Sequence, residues 1–218
     1  MDPATLYDHL TRARRDLLGT LRAAPEGVLR SPLLRGERFH SILDLLVHTA
    51  EVEDGWIHGD FQGLPMVQDR FPDIGAGVTG PGTPLGLDAI AAYWQAVEAD
   101  TRAYLGSLTE ADLERTVTLD DWPEGHRQFT LSGLVWHVLL HEVRHTAQIA
   151  ALLRTQGVKP PQLDLLFYLP ALETGRSAAT FVNPPRRTHD PPPPPTPTPP
   201  PARPAPQRPA KRIRCQLP

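Results

Sequence analysis

The sequence predicts an all-α fold, an antiparallel four-helix bundle over residues 1–172, followed by a proline-rich C-terminal tail. Three observations indicate this class. Four long segments carry apolar residues at steps of three and four, which is the period of an amphipathic helix. Alternating patterns typical of strands are short. Each apolar stripe must be buried against another, so the four helices are expected to pack together.

The first two helices have clear start signals. Asp2 can act as an N-cap ahead of a proline, and the first helix is expected to run to about Ala24. Ser41 is expected to cap the second helix, which continues to about Asp60. Residues 62–87 are rich in glycine and proline, and we interpret them as a long loop.

The third helix is expected to open at Asp88 and to end near Ser107. Residues 116–129 contain short alternating apolar stretches around a Trp-Pro-Glu-Gly turn, which predicts a hairpin-like excursion. Three helical segments and one hairpin therefore precede the last helix.

The fourth helix is the longest. Thr130 can cap it, and it is expected to run to about Gln156 and to stop at Gly157, a residue suited to the left-handed C′ position. Apolar residues between Leu163 and Tyr168 predict a closing segment of one or two helical turns.

Composition changes sharply near the C-terminus. From Pro184 onward 15 of 35 residues are proline, and seven Lys or Arg stand against one Asp, a charge of 7 − 1 = +6. The whole chain carries −3, which leaves −9 on residues 1–183 and argues against a nucleic-acid partner. We predict that residues 173–218 form a basic, disordered tail. A dispensable extension is the favoured interpretation, and an interaction segment is the alternative.

The lone cysteine, Cys215, excludes a disulfide framework, and we therefore expect a cytoplasmic protein. The chain opens without a secretion signal, and no apolar run approaches the roughly 18 residues of a membrane span. We expect no membrane partner.

Three histidines, His137, His141 and His145, lie four residues apart on the fourth helix. Steps of four advance by about 40° and 6 Å, so neighbouring imidazoles share one face. His141 and His145 also fall on the inward apolar seam, where aliphatic residues are expected. They are either core histidines that bond Gln148, Glu142 or the backbone, or ligands of a metal ion.

A metal site of the zinc type needs at least three protein ligands. His48 is the best candidate for the third, because it lies between Leu45 and Val52 on the inward stripe of the second helix. A lone inward histidine is more often structural. If the second and fourth helices face one another, however, three imidazoles converge and leave coordination positions open, as in a catalytic site.

At these residues the sequence resembles the DinB/YfiT-like metalloenzymes, a family named for damage-inducible bacterial proteins. The segment LLVHTAEVEDGW around His48 is similar to the second-helix histidine motif of the family. WHVLLHEVRHTAQIAALLRTQG is similar to its fourth-helix motif, and LDLLFYLP to its usual end. The resemblance spans about residues 3–172, and its specificity comes from the combination of motifs.

The resemblance implies that His48, His141 and His145 ligate a divalent metal (Zn, Ni, Fe or Mn) in a homodimeric bundle. His137 and Gln148 would lie beside these ligands and support them, with metal ligation by His137 as the less favoured alternative. Where many members have an Arg-Gly pair this chain has Thr146 and Ala147, and the tail has no family counterpart. Some relatives use low-molecular-weight thiols such as mycothiol, bacillithiol or glutathione in transfer or isomerisation reactions.

Two hypotheses of function follow. The first is a metal-dependent transferase or hydrolase that acts on a small-molecule substrate in stress or detoxification, with a thiol as cofactor. The alternative is a non-enzymatic, DNA damage-inducible stress protein that binds metal.

Around the site, we expect Glu142 to be a surface charge, with a role beside the ligands as the alternative. Arg144 is expected to form an exposed salt bridge with Glu51 or Glu53, although it could bind a substrate carboxylate. The remaining large aromatic residues are expected in the core or a dimer interface rather than in a pocket. They are Trp56, Tyr93, Trp94 and Trp136.

Overall fold

Helices account for most of the part of the chain that the structure describes. This structure is a computed structural model, and it describes residues 2–34, 39–75, 85–120 and 122–169. The α-helices in chain order are α1 (Pro3–Ala23), α2 (Glu26–Arg30), α3 (Ile42–Asp54), α4 (Pro72–Gly75), α5 (Leu87–Ser107), α6 (Glu110–Glu114) and α7 (Leu131–Thr155). A π-helical turn, Gly55–Asp60, continues α3. The all-α class predicted from the sequence is confirmed.

The predicted starts of three long helices are confirmed. The side chains of Asp2, Ser41 and Thr130 each accept a hydrogen bond from an amide in the first turn of their helix. Each cap satisfies a donor that the first turn leaves without a helical partner. Gly157 follows α7 with a φ of 73°, in the left-handed region that favours glycine.

The region before the third long helix differs from the prediction. Gly86 occupies the N-cap position of α5, so Asp88, which was expected to open this helix, lies in its first turn. The described part of residues 62–87 is not simply a loop, because it contains α4 and a 3-10 helix at Val67–Arg70. Val67 and Ile74 are buried there. Tertiary burial therefore stabilises helical turns that are too short to show a period in the sequence.

The hairpin predicted over residues 116–129 is confirmed. Its strands, β1 (Thr116–Thr118) and β2 (Gln128–Thr130), pair antiparallel, with Val117 opposite Phe129. The closing segment is also confirmed, as a single 3-10 turn at Leu165–Phe167.

The four long helices pack in a ring. Helices α1 and α3 each contact both α5 and α7. Ion pairs join the end of α1 to the start of α5 (Arg22 to Asp88) and the start of α1 to the end of α5 (Arg102 to Asp8), so these two helices are antiparallel.

The composition of the apolar core gives the remaining helix directions. One cluster of buried apolar side chains comes from the C-terminal halves of α1 and α7 and the N-terminal halves of α3 and α5. A second cluster comes from the opposite ends of these four helices. Helices α3 and α7 are therefore antiparallel, whereas α3 and α5 run in the same direction. The antiparallel arrangement predicted from the sequence holds for α1 with α5 and for α3 with α7, but not for the neighbours α3 and α5. The long connection over residues 62–87 fits this, because parallel neighbours cannot be joined by a tight turn.

A polar layer separates the two apolar clusters. Helices α1, α5 and α7 contribute to it at mid-length, in the stretch between their residues in one cluster and their residues in the other, and α3 contributes on either side of the point where its apolar residues change cluster. Buried members of this layer are Arg14 on α1, His48 and Glu53 on α3, Thr101 on α5, and His141, Glu142 and His145 on α7. Buried polar side chains require partners, so this layer is where specific chemistry is expected.

The predicted tail, residues 173–218, lies outside the described residues, as does Cys215. The described residues belong to one unit, which ends at Leu169. Among the helices that the structure describes, none combines the length and the apolar character needed to cross a membrane.

Candidate metal centre

Three histidines meet in the polar layer between α3 and α7. His48 comes from α3, and His141 and His145 come from successive turns of α7. All three are buried, with between 6% and 8% of their surface exposed. The antiparallel packing of these two helices brings their inward seams together, as the sequence predicted for this pair.

The imidazoles converge closely enough to share one ion. The His48 ring centroid lies 5.0 Å from those of His141 and His145, which are 4.3 Å apart. Each residue offers a nitrogen within 4.8 Å of the other two. His141 Nε2 and His145 Nε2 are 3.0 Å apart, and two nitrogens bound to one ion at about 2.0–2.1 Å would be separated by about 3 Å. The three histidines could therefore hold a metal ion.

Gln148 fixes the protonation pattern of His145. Its side-chain Oε1 lies 2.6 Å from His145 Nδ1, and an amide oxygen can only accept a hydrogen bond. Nδ1 therefore carries the proton, and in the neutral ring Nε2 has the lone pair and accepts a hydrogen bond from His141 Nε2 at 3.0 Å. The bond to Gln148 that a purely structural histidine would make is thus present, but it leaves the inward nitrogen available as a ligand.

Burial keeps the histidines on α7 neutral. Burial, together with the neighbouring histidines and Arg144, lowers the pKa of His141 to about 2. Burial also lowers the pKa of His145, although the Gln148 hydrogen bond opposes this. Because a neutral imidazole is the form that binds metal, both rings are in the charge state that binding requires at neutral pH.

Aromatic rings lie against His48 and against His137, the histidine one turn before His141. The Phe39 ring stacks on that of His48 at a centroid distance of 3.9 Å. His137 is half-buried, 5.5 Å from the Trp56 ring and 6.2 Å from that of His141. Within the described residues, the converging nitrogens belong to the other three histidines and leave out His137.

The expectation that Glu142 is a surface charge is wrong. The residue is 4% exposed, and its two carboxylate oxygens accept hydrogen bonds from Arg14 Nε at 2.9 Å and Nη2 at 2.7 Å. Glu142 lies about 100° around α7 from His141, on a flank that α1 covers. Periodicity located this flank but did not show that a helix packs against it.

The expected salt bridge of Arg144 is also wrong. Glu53 is buried and pairs with Arg14 at 2.9 Å, while the Glu51 carboxylate accepts a hydrogen bond from Gln68 at 3.1 Å. Arg144 itself is exposed on α7, between two of the converging histidines, and has no ion pair among the described residues. Its guanidinium is therefore open to solvent close to the site.

The arrangement has the histidine positions expected of the family that the sequence resembles. The sequence profile of the DinB family matches residues 1–176. The chain belongs to the DinB family. No match was found among curated proteins. Membership of the DinB family agrees with the helical fold and with the position of the three histidines, on the two helices where the motifs were recognised.

The donor set fits a divalent transition metal. Neutral imidazole nitrogens suit zinc, nickel and iron, and three of them make the smallest protein ligand set of a catalytic zinc site. His145 also has the hydrogen-bonded partner on its outer nitrogen that metal-binding histidines usually have.

Arg14 is a member of the polar layer that sequence reasoning missed. The available signal was a charged residue on the apolar stripe of α1, four residues after Leu10 and three before Leu17. In the structure its guanidinium lies 4.0 Å from the Trp94 ring centroid. Trp94, like Trp56 and Tyr93, is buried in the core as predicted, while Trp136 is half-buried.

Proposed function

We propose that this DinB family member binds one divalent metal ion through His48, His141 and His145 and acts as a metal-dependent transferase or hydrolase on a small molecule. The convergence of three buried imidazole nitrogens from two helices carries the proposal. Three protein ligands leave at least one coordination position for a substrate, as in catalytic rather than structural sites. Zinc, nickel, iron and manganese are the candidate ions, and imidazole favours the first three.

A bound ion would act as a Lewis acid that lowers the pKa of a coordinated water or thiol. The thiols proposed here are bacillithiol, mycothiol and glutathione, used against electrophiles in stress or detoxification. The protein holds the ligand lone pairs in place through Gln148 and burial. Arg144, exposed beside the histidines, is available to bind a carboxylate of the thiol or the substrate.

The limited solvent access to the histidines supports a second candidate, a non-enzymatic stress protein that binds metal. The three side chains are at most 8% exposed, and Phe39 stacks directly on His48. A metal ion held in such a place would stabilise α3 against α7. Homodimer formation and a cytoplasmic location belong to the proposal in either case. Leu140 and Val143 on the outer face of α7 supply exposed apolar surface for a dimer, which sedimentation would test.

The first experiment measures metal content by elemental analysis of the purified protein and of three variants, His48→Ala, His141→Ala and His145→Ala. His126→Ala is the matched control, because this histidine is exposed in the hairpin loop away from the polar layer. We expect about one metal ion per chain in the wild type and the control, and much less in each of the three variants. Wild-type metal content in all three would refute the metal site.

The second experiment separates the two candidates. Metal-loaded protein is incubated with each thiol and a chloroarene or epoxide electrophile, and consumption of the thiol is measured. Turnover that disappears in His145→Ala but persists in His126→Ala supports the enzyme. Stoichiometric metal binding without turnover of any thiol or of ester substrates supports the non-enzymatic protein.

A further inference from the structure

One buried guanidinium joins the two helices that carry the histidines. The Arg14 side chain is 2% exposed. Its Nη2 atom donates to Glu53 Oε2 on α3 at 2.9 Å and to Glu142 Oε2 on α7 at 2.7 Å. Its Nε donates to the second oxygen of Glu142 at 2.9 Å, which makes a two-point fork. A single nitrogen therefore connects α3 and α7 through charge-assisted bonds.

Further contacts keep this connection in place. Trp94 of α5 packs against the guanidinium, and its Nε1 donates to Glu53 Oε2 at 2.7 Å. The Tyr7 hydroxyl of α1 donates to the other oxygen of Glu53. Arg14 Nη1 lies 3.6 Å from a carboxylate oxygen of Glu98 on α5. All four long helices thus contribute to one set of directional bonds, which holds the guanidinium and both carboxylates in a single arrangement.

The two glutamates that bond Arg14 are close in sequence to the histidines, and they belong to the same polar layer. Glu142 directly follows His141 on α7, and Glu53 lies five residues after His48 on α3. The rotation of α7 that aims His141 and His145 at His48 is therefore the same rotation that aims Glu142 at Arg14 on α1.

The geometry of metal binding makes this rotation critical. A ring nitrogen about 6 Å from the axis of a helix moves by about 1 Å when the helix rotates by about 10°. Metal to nitrogen distances tolerate only about 0.2 Å. Hydrophobic burial is non-directional, whereas charge-assisted hydrogen bonds fix both a distance and an orientation. Directional bonds between α1, α3 and α7 would help to hold the three nitrogens to the tolerance of an ion.

We infer that Arg14 is a positioning residue of the histidine site, which sets the rotation of α7 relative to α3 through Glu142 and Glu53. The inference rests on the proposed function, because it requires that the histidines bind metal. Stability alone is a poor explanation for the buried ion pairs of Arg14 with Glu53 and Glu142, since well-packed apolar residues commonly replace buried ion pairs without loss of stability.

The test uses full-length protein, Co²⁺ as the probe, and two variants of different kinds. Arg14→Lys keeps the positive charge but loses the planar fork that bonds both carboxylates. The triple variant Arg14→Met, Glu53→Gln and Glu142→Gln removes the charges together and so leaves no buried ion unpaired. Arg22→Lys, an exposed position on the same helix, is the matched control. Folding is checked by circular dichroism, Co²⁺ affinity by titration, and coordination geometry by the visible absorption spectrum.

We expect the control to match the wild type, and Arg14→Lys and the triple variant to fold, bind Co²⁺ at least tenfold more weakly and show an altered spectrum. If Arg14→Lys does not fold, the triple variant decides the question. If the triple variant does not fold, Arg14→Lys decides it. Wild-type affinity and an unchanged spectrum in either folded variant would overturn the inference while leaving the metal site intact. If the wild type itself fails to bind Co²⁺, the proposed function is refuted, and the inference falls with it.

Discussion

The hydrogen bond between Gln148 and His145 allows the electrostatic reasoning about the site to be tested without removing a ligand. In the structure Gln148 Oε1 lies 2.6 Å from His145 Nδ1, and this bond leaves Nε2 free to bind metal. Replacing Gln148 with alanine removes the acceptor but none of the three ligand nitrogens. We therefore expect a weakened site and not an abolished one.

The size of the effect follows from two considerations. A hydrogen bond of this kind contributes about 1 kcal/mol net, or roughly fivefold in affinity. Loss of the partner that orients a metal-binding histidine costs about 10- to 100-fold in other sites. Gln148 is exposed, so water can partly replace it. We expect Gln148→Ala to weaken metal binding about tenfold, and to lower the free energy of unfolding of the metal-free protein by no more than about 1 kcal/mol.

The assay is competition between the protein and a chromophoric chelator for Zn²⁺ at neutral pH. Gln148→Glu retains an acceptor and adds negative charge, so its affinity should equal or exceed that of the wild type. Gln95→Ala, at an exposed position on α5, is the control for loss of a surface glutamine. The reasoning fails if Gln148→Ala binds Zn²⁺ within twofold of the wild type, or if Gln148→Glu binds more weakly than Gln148→Ala.

Two predictions concern the fold that supports the site. The buried Asp54 carboxylate accepts hydrogen bonds from two backbone amides and from the Tyr93 hydroxyl. Asp54→Ala should therefore lower the free energy of unfolding, measured by urea titration, by about 4 kcal/mol. A loss below about 2 kcal/mol would contradict this account. Gly157, at a φ of 73°, and Gly19, inside α1, both have open space where a Cβ would stand. Gly157→Ala should cost about 1–2 kcal/mol through backbone strain, and Gly19→Ala should stabilise by about 0.5–1 kcal/mol. If the melting temperatures of both variants shifted in the same direction relative to the wild type, backbone conformation at these glycines would not explain their stability.

The sequence by itself determined much of the local structure. Helix periods and caps located the four long helices, and the hairpin followed from alternation and turn residues. The spacing of His141 and His145 placed both on one inward seam, because a step of four residues nearly completes a helical turn. Spacing alone could not assign His48 as the third ligand, since a lone inward histidine has no partner in its own helix. The family resemblance supplied that assignment.

Tertiary structure decided which flanks of each helix are covered. Periodicity reports the residues that share a face, but not whether another helix packs beside that face. Periodicity therefore predicted a surface charge at Glu142, whereas α1 covers this residue and places Arg14 against it. The same limit hid the short helix α4, which a single turn of sequence cannot indicate. Burial is a relation between helices, so the polar layer that holds the three histidines became visible only when all four long helices were packed together.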